Sequence, residues 1–208
     1  MSFPPLDRYQ PKLAGLMRRS RLRVLSQTRG VDFTSNDYLG LASAPQIAAS
    51  IAAAIDHGIP QGAAGSRLLR GNHCVHEALE AEAARFFGAE TALYFSNGFA
   101  ANVALYSTLP QKDDLIVYDA LIHASVHDGI LGSRASAVAV PHNDVEADEQ
   151  VIRCWRKGGG RGAPWLVVER LYSMDGDRAP IAELPALAIR HDGVLGVDEA
   201  NDTGGLGQ

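Results

Sequence analysis

Four stretches carry side chains able to do chemistry. Val194-Leu195-Gly196-Val197-Asp198 is a short apolar run that stops at a carboxylate, with Glu199 following. Trp165-Leu166-Val167-Val168-Glu169 ends the same way and leads into Leu171-Tyr172-Ser173-Met174-Asp175-Gly176-Asp177. A buried parallel strand reads like this when a ligand site lies at its carboxyl end. A carboxylate there is expensive to bury unless it is paired. Asp198 therefore needs a cationic partner, from the protein or from a ligand. Ser96-Asn97-Gly98-Phe99 reads as a helix start. Its amides and the helix dipole could hold a phosphate, the dipole adding about 0.3–1 kcal/mol, although any capped helix after a strand looks the same. His123 follows another strand-like run; a histidine so placed also serves simply as a satisfied hydrogen-bonder.

The elements that must position these residues follow from apolar spacing. Residues 12–23 could form an amphipathic helix, a solvated arm or a lid that offers an arginine to a carboxylate substrate. Residues 31–41 read as a short strand and turn, with Gly40 at a positive φ. Residues 45–57 have helical spacing with Ile47, Ile51 and Ile55 on one face, and Gly58 ends them. Residues 62–72 are glycine-rich but lack the GK[ST] of a Walker A loop. Residues 76–87 are a strong helix, with Leu79, Ala83, Phe86 and Phe87 on one face. Strands are expected at 91–95, 115–118, 137–140, 165–169 and 194–198, and helices at 100–108, 123–131, 145–155 and 184–190. This alternation predicts an α/β fold, a mostly parallel sheet with helices on both faces.

The chain has 208 residues, 46% hydrophobic and 21% charged, which suits a globular protein. Its formal charge of −5 offers no footprint for nucleic acid or an anionic membrane. No apolar run approaches the ~20 residues of a membrane span, and the start, Met1-Ser2-Phe3-Pro4-Pro5, does not read as a signal peptide. A cytoplasmic location is expected, with Cys74 and Cys154 as unpaired thiols. His123 and His127 stand at zinc-helix spacing, but Ala124 replaces the glutamate of that motif, and no metal is expected. No nucleophile-elbow motif occurs. Pyridoxal 5'-phosphate (PLP) would satisfy the three needs together: phosphate at Gly98, ring against His123, ring nitrogen on Asp198. Spacing alone shows only compatibility.

The motifs themselves carry a resemblance. Asn36-Asp37-Tyr38-Leu39-Gly40-Leu41, Gly65-Ser66-Arg67-Leu68-Leu69-Arg70-Gly71-Asn72, His76-Glu77-Ala78-Leu79-Glu80, Gly98-Phe99-Ala100-Ala101-Asn102, His123-Ala124-Ser125, His142-Asn143-Asp144, Tyr172-Ser173-Met174-Asp175-Gly176-Asp177 and Asp198-Glu199-Ala200 stand in the order found in the α-oxoamine synthases. The chain resembles that PLP-dependent family, which has the aspartate-aminotransferase fold. The resemblance implies Gly98 and Phe99 at the cofactor phosphate. It also implies His123 stacked on the ring and helping to place substrate, Ser173 near the phenolic oxygen, and Asp198 on the ring nitrogen. Arg21 matches an N-terminal arginine that meets the acyl substrate, with Arg18, Arg19 and Arg23 as alternative registers. The implied reaction joins L-alanine to a pimeloyl thioester on coenzyme A or acyl carrier protein in biotin biosynthesis, in a homodimer. Sibling activities (5-aminolevulinate synthase, 2-amino-3-ketobutyrate ligase, serine palmitoyltransferase) and a non-catalytic remnant stay open.

Two departures stand out. Asn201 takes the place of a histidine that in the family donates to the phenolic oxygen, and Gly204-Gly205 replaces a valine-rich run. Asparagine donates a hydrogen bond but does not titrate. The family's Schiff-base lysine has no counterpart among Lys12, Lys112 and Lys157, because it is expected beyond Gln208. The expectation is an N-terminal portion of very low turnover: an arm with a first strand and turn at 1–44, and an incomplete PLP-binding large domain at 45–208.

Overall fold

A computed structural model of the chain describes residues 7–25 and 30–204. Residues 1–5 and Gly205 lie outside the described residues. Two compact units meet in sequence between Asn36 and Asp37, and each is described by itself.

In the first unit, helix α1 spans Gln10–Arg18, shorter than the expected 12–23. Ser20 adopts φ +53° and the Arg21 N–H reaches back to the Leu16 carbonyl at 2.8 Å. That left-handed closure ends the helix before the later arginines. The expected strand from residue 31 does not form. The Asp32 carboxylate takes the Thr34 N–H and hydroxyl, each at 2.8 Å, so the side chain closes a turn that competes with any ladder.

The second unit opens with a 3-10 turn, Leu41–Ser43, after Gly40 at φ +64°. The Asp37 carboxylate accepts the Leu41 and Ala42 N–H groups, which again displaces strand by turn. Helices α2 (Pro45–Asp56) and α3 (Cys74–Phe87) follow. Between them the glycine-rich stretch makes one tight turn, Arg67–Gly71, and Arg67 Nη2 bonds Glu80 of α3 at 3.0 Å. The expected strand at 91–95 does not form and joins no ladder. Glu80 accepts its Tyr94 N–H at 2.8 Å instead.

From here the alternation forms as read: α4 (Gly98–Thr108), β1 (Leu115–Asp119), α5 (Ala124–Gly132), β2 (Ser136–Val140), α6 (Val145–Lys157), β3 (Pro164–Glu169), α7 (Leu184–Arg190) and β4 (Val194–Asp198). The four strands are all parallel, in the order β2-β1-β3-β4. Period-two alternation sorts each strand between two cores. Leu115, Val117, Leu166 and Val168 pack with Ile152 of α6 and with Leu184 and Leu187 of α7. Ile116, Trp165 and Val167 pack with Tyr106 of α4 and Val126 of α5. Helices thus cover both faces, and burial on both sides explains the unbroken apolar runs of β1 and β3.

Strand β4, which ends in Asp198, is an edge of this four-stranded sheet. On the apolar faces of α2 and α3, Ile51, Phe86 and Phe87 are exposed.

The chain leaves β1 through α5 to β2, then returns past β1 through α6 to β3. The winding reverses between β1 and β3, and open α/β sheets bind ligands outside the carboxyl ends at such a point.

Candidate functional site

The carboxyl edge carries Asp119, Glu169 and Asp198 at the ends of β1, β3 and β4. Asp198 is half-buried. Its Oδ2 accepts from Asn102 Nδ2 at 2.7 Å and its Oδ1 from the Ala200 N–H at 2.9 Å. Asn102 reaches it because Asn97 caps α4, its Oδ1 accepting the Ala100 N–H at 2.8 Å. The first turn of α4 presents the amides of Gly98 and Phe99, which have no intrahelical acceptor.

Helices α4 and α5 approach closely at Gly129, where a Cβ would lie 2.9 Å from the Asn102 carbonyl and 3.0 Å from Tyr106 Cβ. That approach brings the buried Ser125 to Asn102, whose Nδ2 donates to Ser125 Oγ at 2.9 Å. Ser125 Oγ in turn lies 2.7 Å from His123 Nδ1. His123 is the N-cap of α5, and the Phe99 ring meets it edge-on at 6.4 Å between centroids. Asp198, the 96–99 turn and His123 therefore converge through one pair of helices.

Glu169, which sequence reasoning left without a role, belongs to the same cluster. It is 3% exposed and stands opposite Asp198 in the β3–β4 register. Burial, then the Asp198 charge, push its pKa up, while backbone N–H groups of Ser173 and His123 pull the other way. The carboxylate ending its strand was the available signal. Neither Glu169 nor Asp198 has an arginine or lysine bonded to it among the described residues.

A second set of bonds holds the loop that carries Ser173. His142 bridges Asp119 (Nδ1, 2.8 Å) and Asp177 (Nε2, 2.7 Å). Asn143 bonds both, its N–H to Asp119 and its Nδ2 to Asp177, each at 2.8 Å. Burial lowers the His142 pKa, but the bonds to Asp119 and Asp177 outweigh it and the net shift is upward. The Tyr172 ring packs edge-on against His142 at 4.5 Å. The loop closes on itself through Tyr172 N–H to the Asp177 carbonyl at 3.0 Å and Gly176 N–H to the Tyr172 carbonyl at 2.9 Å.

Asn201 Nδ2 reaches the Leu171 carbonyl at 3.4 Å. Its loop is anchored by Arg170, which bonds Glu199 at 2.9 Å and Asp202 at 2.6 Å. Arg21 belongs to the first unit. His127 packs on Tyr118 at 5.4 Å, away from His123's partners. Lys112 precedes β1 and Lys157 ends α6, both at the amino edge of the sheet, opposite Asp198.

Residues 28–208 match the sequence pattern of the aminotransferase class I and II family. The chain is 43% identical to the 8-amino-7-oxononanoate synthase of Pelobacter propionicus, over 96% of this chain and 52% of that protein. Among solved structures it resembles the S. paucimobilis serine palmitoyltransferase K265A with bound PLP–myriocin (28% identity, TM-score 0.79, 94% of this chain and 54% of that one). It also resembles the 8-amino-7-oxononanoate synthase of Francisella tularensis (30% identity, TM-score 0.62, 81% and 44%). The chain spans about half the length of the curated relatives it matches.

Proposed function

The chain belongs to the aminotransferase class I and II family, and from that premise we propose that it carries the PLP-binding part of an α-oxoamine synthase. Its reaction is the decarboxylative condensation of L-alanine with a pimeloyl thioester to 8-amino-7-oxononanoate. The observation that carries this reading is the pair of adjacent carboxylates, Glu169 and Asp198, with no arginine or lysine bonded to either among the described residues. Such a pair is matched to a cationic heteroaromatic ring, and a charge-assisted bond to Asp198 contributes about 1.5–3 kcal/mol. The residues present fit PLP. Gly98 and Phe99 would hold its phosphate at the positive end of α4, His123 would lie against its ring, and Ser173 and Asn201 would approach its phenolic oxygen. When bound, PLP supplies an electron sink for the bond broken at the substrate Cα. Asp198 would keep the ring nitrogen protonated, and Asn102 orients Asp198 for it.

Arg21 is proposed to meet the acyl substrate, with a homodimer and a cytoplasmic setting as the assembly and location. No helix among the described residues is long and apolar enough to cross a membrane. The 208-residue chain by itself is proposed to turn over very slowly, since none of Lys12, Lys112 and Lys157 follows a motif matching the family's Schiff-base lysine, and Lys112 and Lys157 lie at the amino edge of the sheet. Structural likeness to serine palmitoyltransferase keeps L-serine as a second amino-acid substrate to test. The complete protein, incubated with L-alanine, glycine or L-serine and with pimeloyl and other acyl thioesters, should release carbon dioxide and thiol with L-alanine and the pimeloyl thioester. Product from glycine or L-serine alone would end the biotin-pathway reading.

A further inference from the structure

The hydrogen bonds around Ser125 have a forced direction. Asn102 must turn its NH2 group toward Asp198, because the alternative sets an amide oxygen against a carboxylate oxygen at 2.7 Å. The same nitrogen gives its other hydrogen to Ser125 Oγ at 2.9 Å. Ser125 Oγ thus accepts from Asn102, and its own hydrogen is available for His123 Nδ1, 2.7 Å away. The backbone N–H of Ser125, which can only donate, points at that same Nδ1 at 3.2 Å. Two donors therefore share one lone pair, and Nδ1 carries no proton.

We infer that Asn102 and Ser125 are positioning residues that link the Asp198 carboxylate to His123 and hold its imidazole neutral, in the tautomer protonated at Nε2. The direction of the two side-chain bonds, Asn102 to Ser125 and Ser125 to His123, is set at the Asp198 end, 96 positions away from Asn102 in sequence, and the Ser125 N–H acts in the same sense. The buried site keeps the link dry: Ser125 is 0% exposed. Gly129 permits it, because any side chain there would part α4 from α5. The consequence for binding rests on the PLP reading above. A neutral ring lies against a cationic heteroaromatic without charge repulsion, whereas an imidazolium would oppose it. The link itself requires no cofactor.

The test records imidazole 15N–1H correlations of the purified protein without cofactor, above the ordinary histidine pKa, for wild type, Ser125→Ala and Asn102→Ala. A His123→Gln spectrum assigns the signal among the seven histidines. Wild-type His123 should show a bare Nδ1 and a protonated Nε2. In Ser125→Ala, which removes one oxygen, and in Asn102→Ala, which lets the Ser125 hydroxyl turn, the signal should move part of the way toward the tautomer mixture of a free imidazole, the Ser125 N–H retaining the remainder of the bias. Titration with PLP, followed by absorbance and fluorescence quenching, should weaken about tenfold in both variants. An Nδ1–H signal in wild type, or an unchanged His123 signal in both variants, overturns the inference. A wild type that shows the expected tautomer and variant shifts but takes up no PLP overturns the functional reading and upholds the link.

Discussion

Glu169 and Asp198 stand directly opposite each other in the β3–β4 register, so two carboxylates end neighbouring strands on one edge of the sheet. Burial of Glu169, and then repulsion from Asp198, raises the Glu169 pKa. Replacing Asp198 by Asn keeps its shape and, with the amide oxygen toward Asn102, that bond, while it removes the charge and the acceptor of the Ala200 N–H. PLP affinity should fall about 10-fold to 100-fold, the loss of one charge-assisted bond of about 1.5–3 kcal/mol. Spectrophotometric PLP titration of the Asp198→Asn protein measures this, and an unchanged Kd would remove Asp198 from the ring nitrogen.

Asp148, in the first turn of α6, is 6% exposed. Burial, then the charges of Asp119 and Asp144, push its pKa up to about 7 from an ordinary 3.8. The folded state therefore holds a proton that the unfolded chain releases, and stability falls as pH rises through that window. Asp148→Asn should match wild type near the low end of the window. At about pH 8 it should be the more stable, by on the order of 2–4 kcal/mol at ~1.4 kcal/mol per pKa unit. Urea unfolding at both ends of the window reads the difference; parallel curves would show that Asp148 does not titrate as described.

His142 acts with the same sign. Burial would lower its pKa, but Asp119 and Asp177 raise it above 6.5. Its contribution is complete below 6.5 and is lost as pH rises through the raised value. Amide exchange at Tyr172 and Gly176, corrected for intrinsic rate, should speed up across that rise as the clamp on the Ser173 loop loosens. In His142→Gln this step should vanish, leaving a loop equally open at all pH values. A step that survives the substitution would assign it to another group.

Gly196 of β4 lies against the buried Tyr106 of α4. A Cβ at residue 196 would stand 2.5 Å from the Tyr106 hydroxyl oxygen, and Tyr106 is 1% exposed. Gly196→Ala should cost about 1–3 kcal/mol of stability by overpacking. Adding Tyr106→Phe should recover most of that loss, since it removes the atom that clashes. A double-mutant cycle in urea measures the coupling; additive effects would mean that the strand yields elsewhere.

The regular second half of the fold was legible because burial on both faces demands unbroken apolar runs. Residues 165–169 and 194–198 became β3 and β4 as read, and 184–190 became α7. Local side chains defeated the reading elsewhere. Asp32 and Asp37 bind nearby amides and turn 31–41 away from a strand, and Glu80 takes an amide of the 91–95 segment. Nothing in a linear pattern weighs a side-chain acceptor against a ladder that must come from elsewhere in the chain.

By itself the sequence determined the alternation of strands and helices, the carboxylates that end the strands, and the motifs through which a cofactor was expected. The tertiary structure decided that β4 is an edge, that Glu169 faces Asp198, and that Asn102 joins Asp198 to Ser125 and His123. The reason is physical. Periodicity is a property of neighbours along the chain, whereas a hydrogen bond between α4 and β4 exists only after parallel pairing and a close helix contact at Gly129 have fixed where both side chains stand.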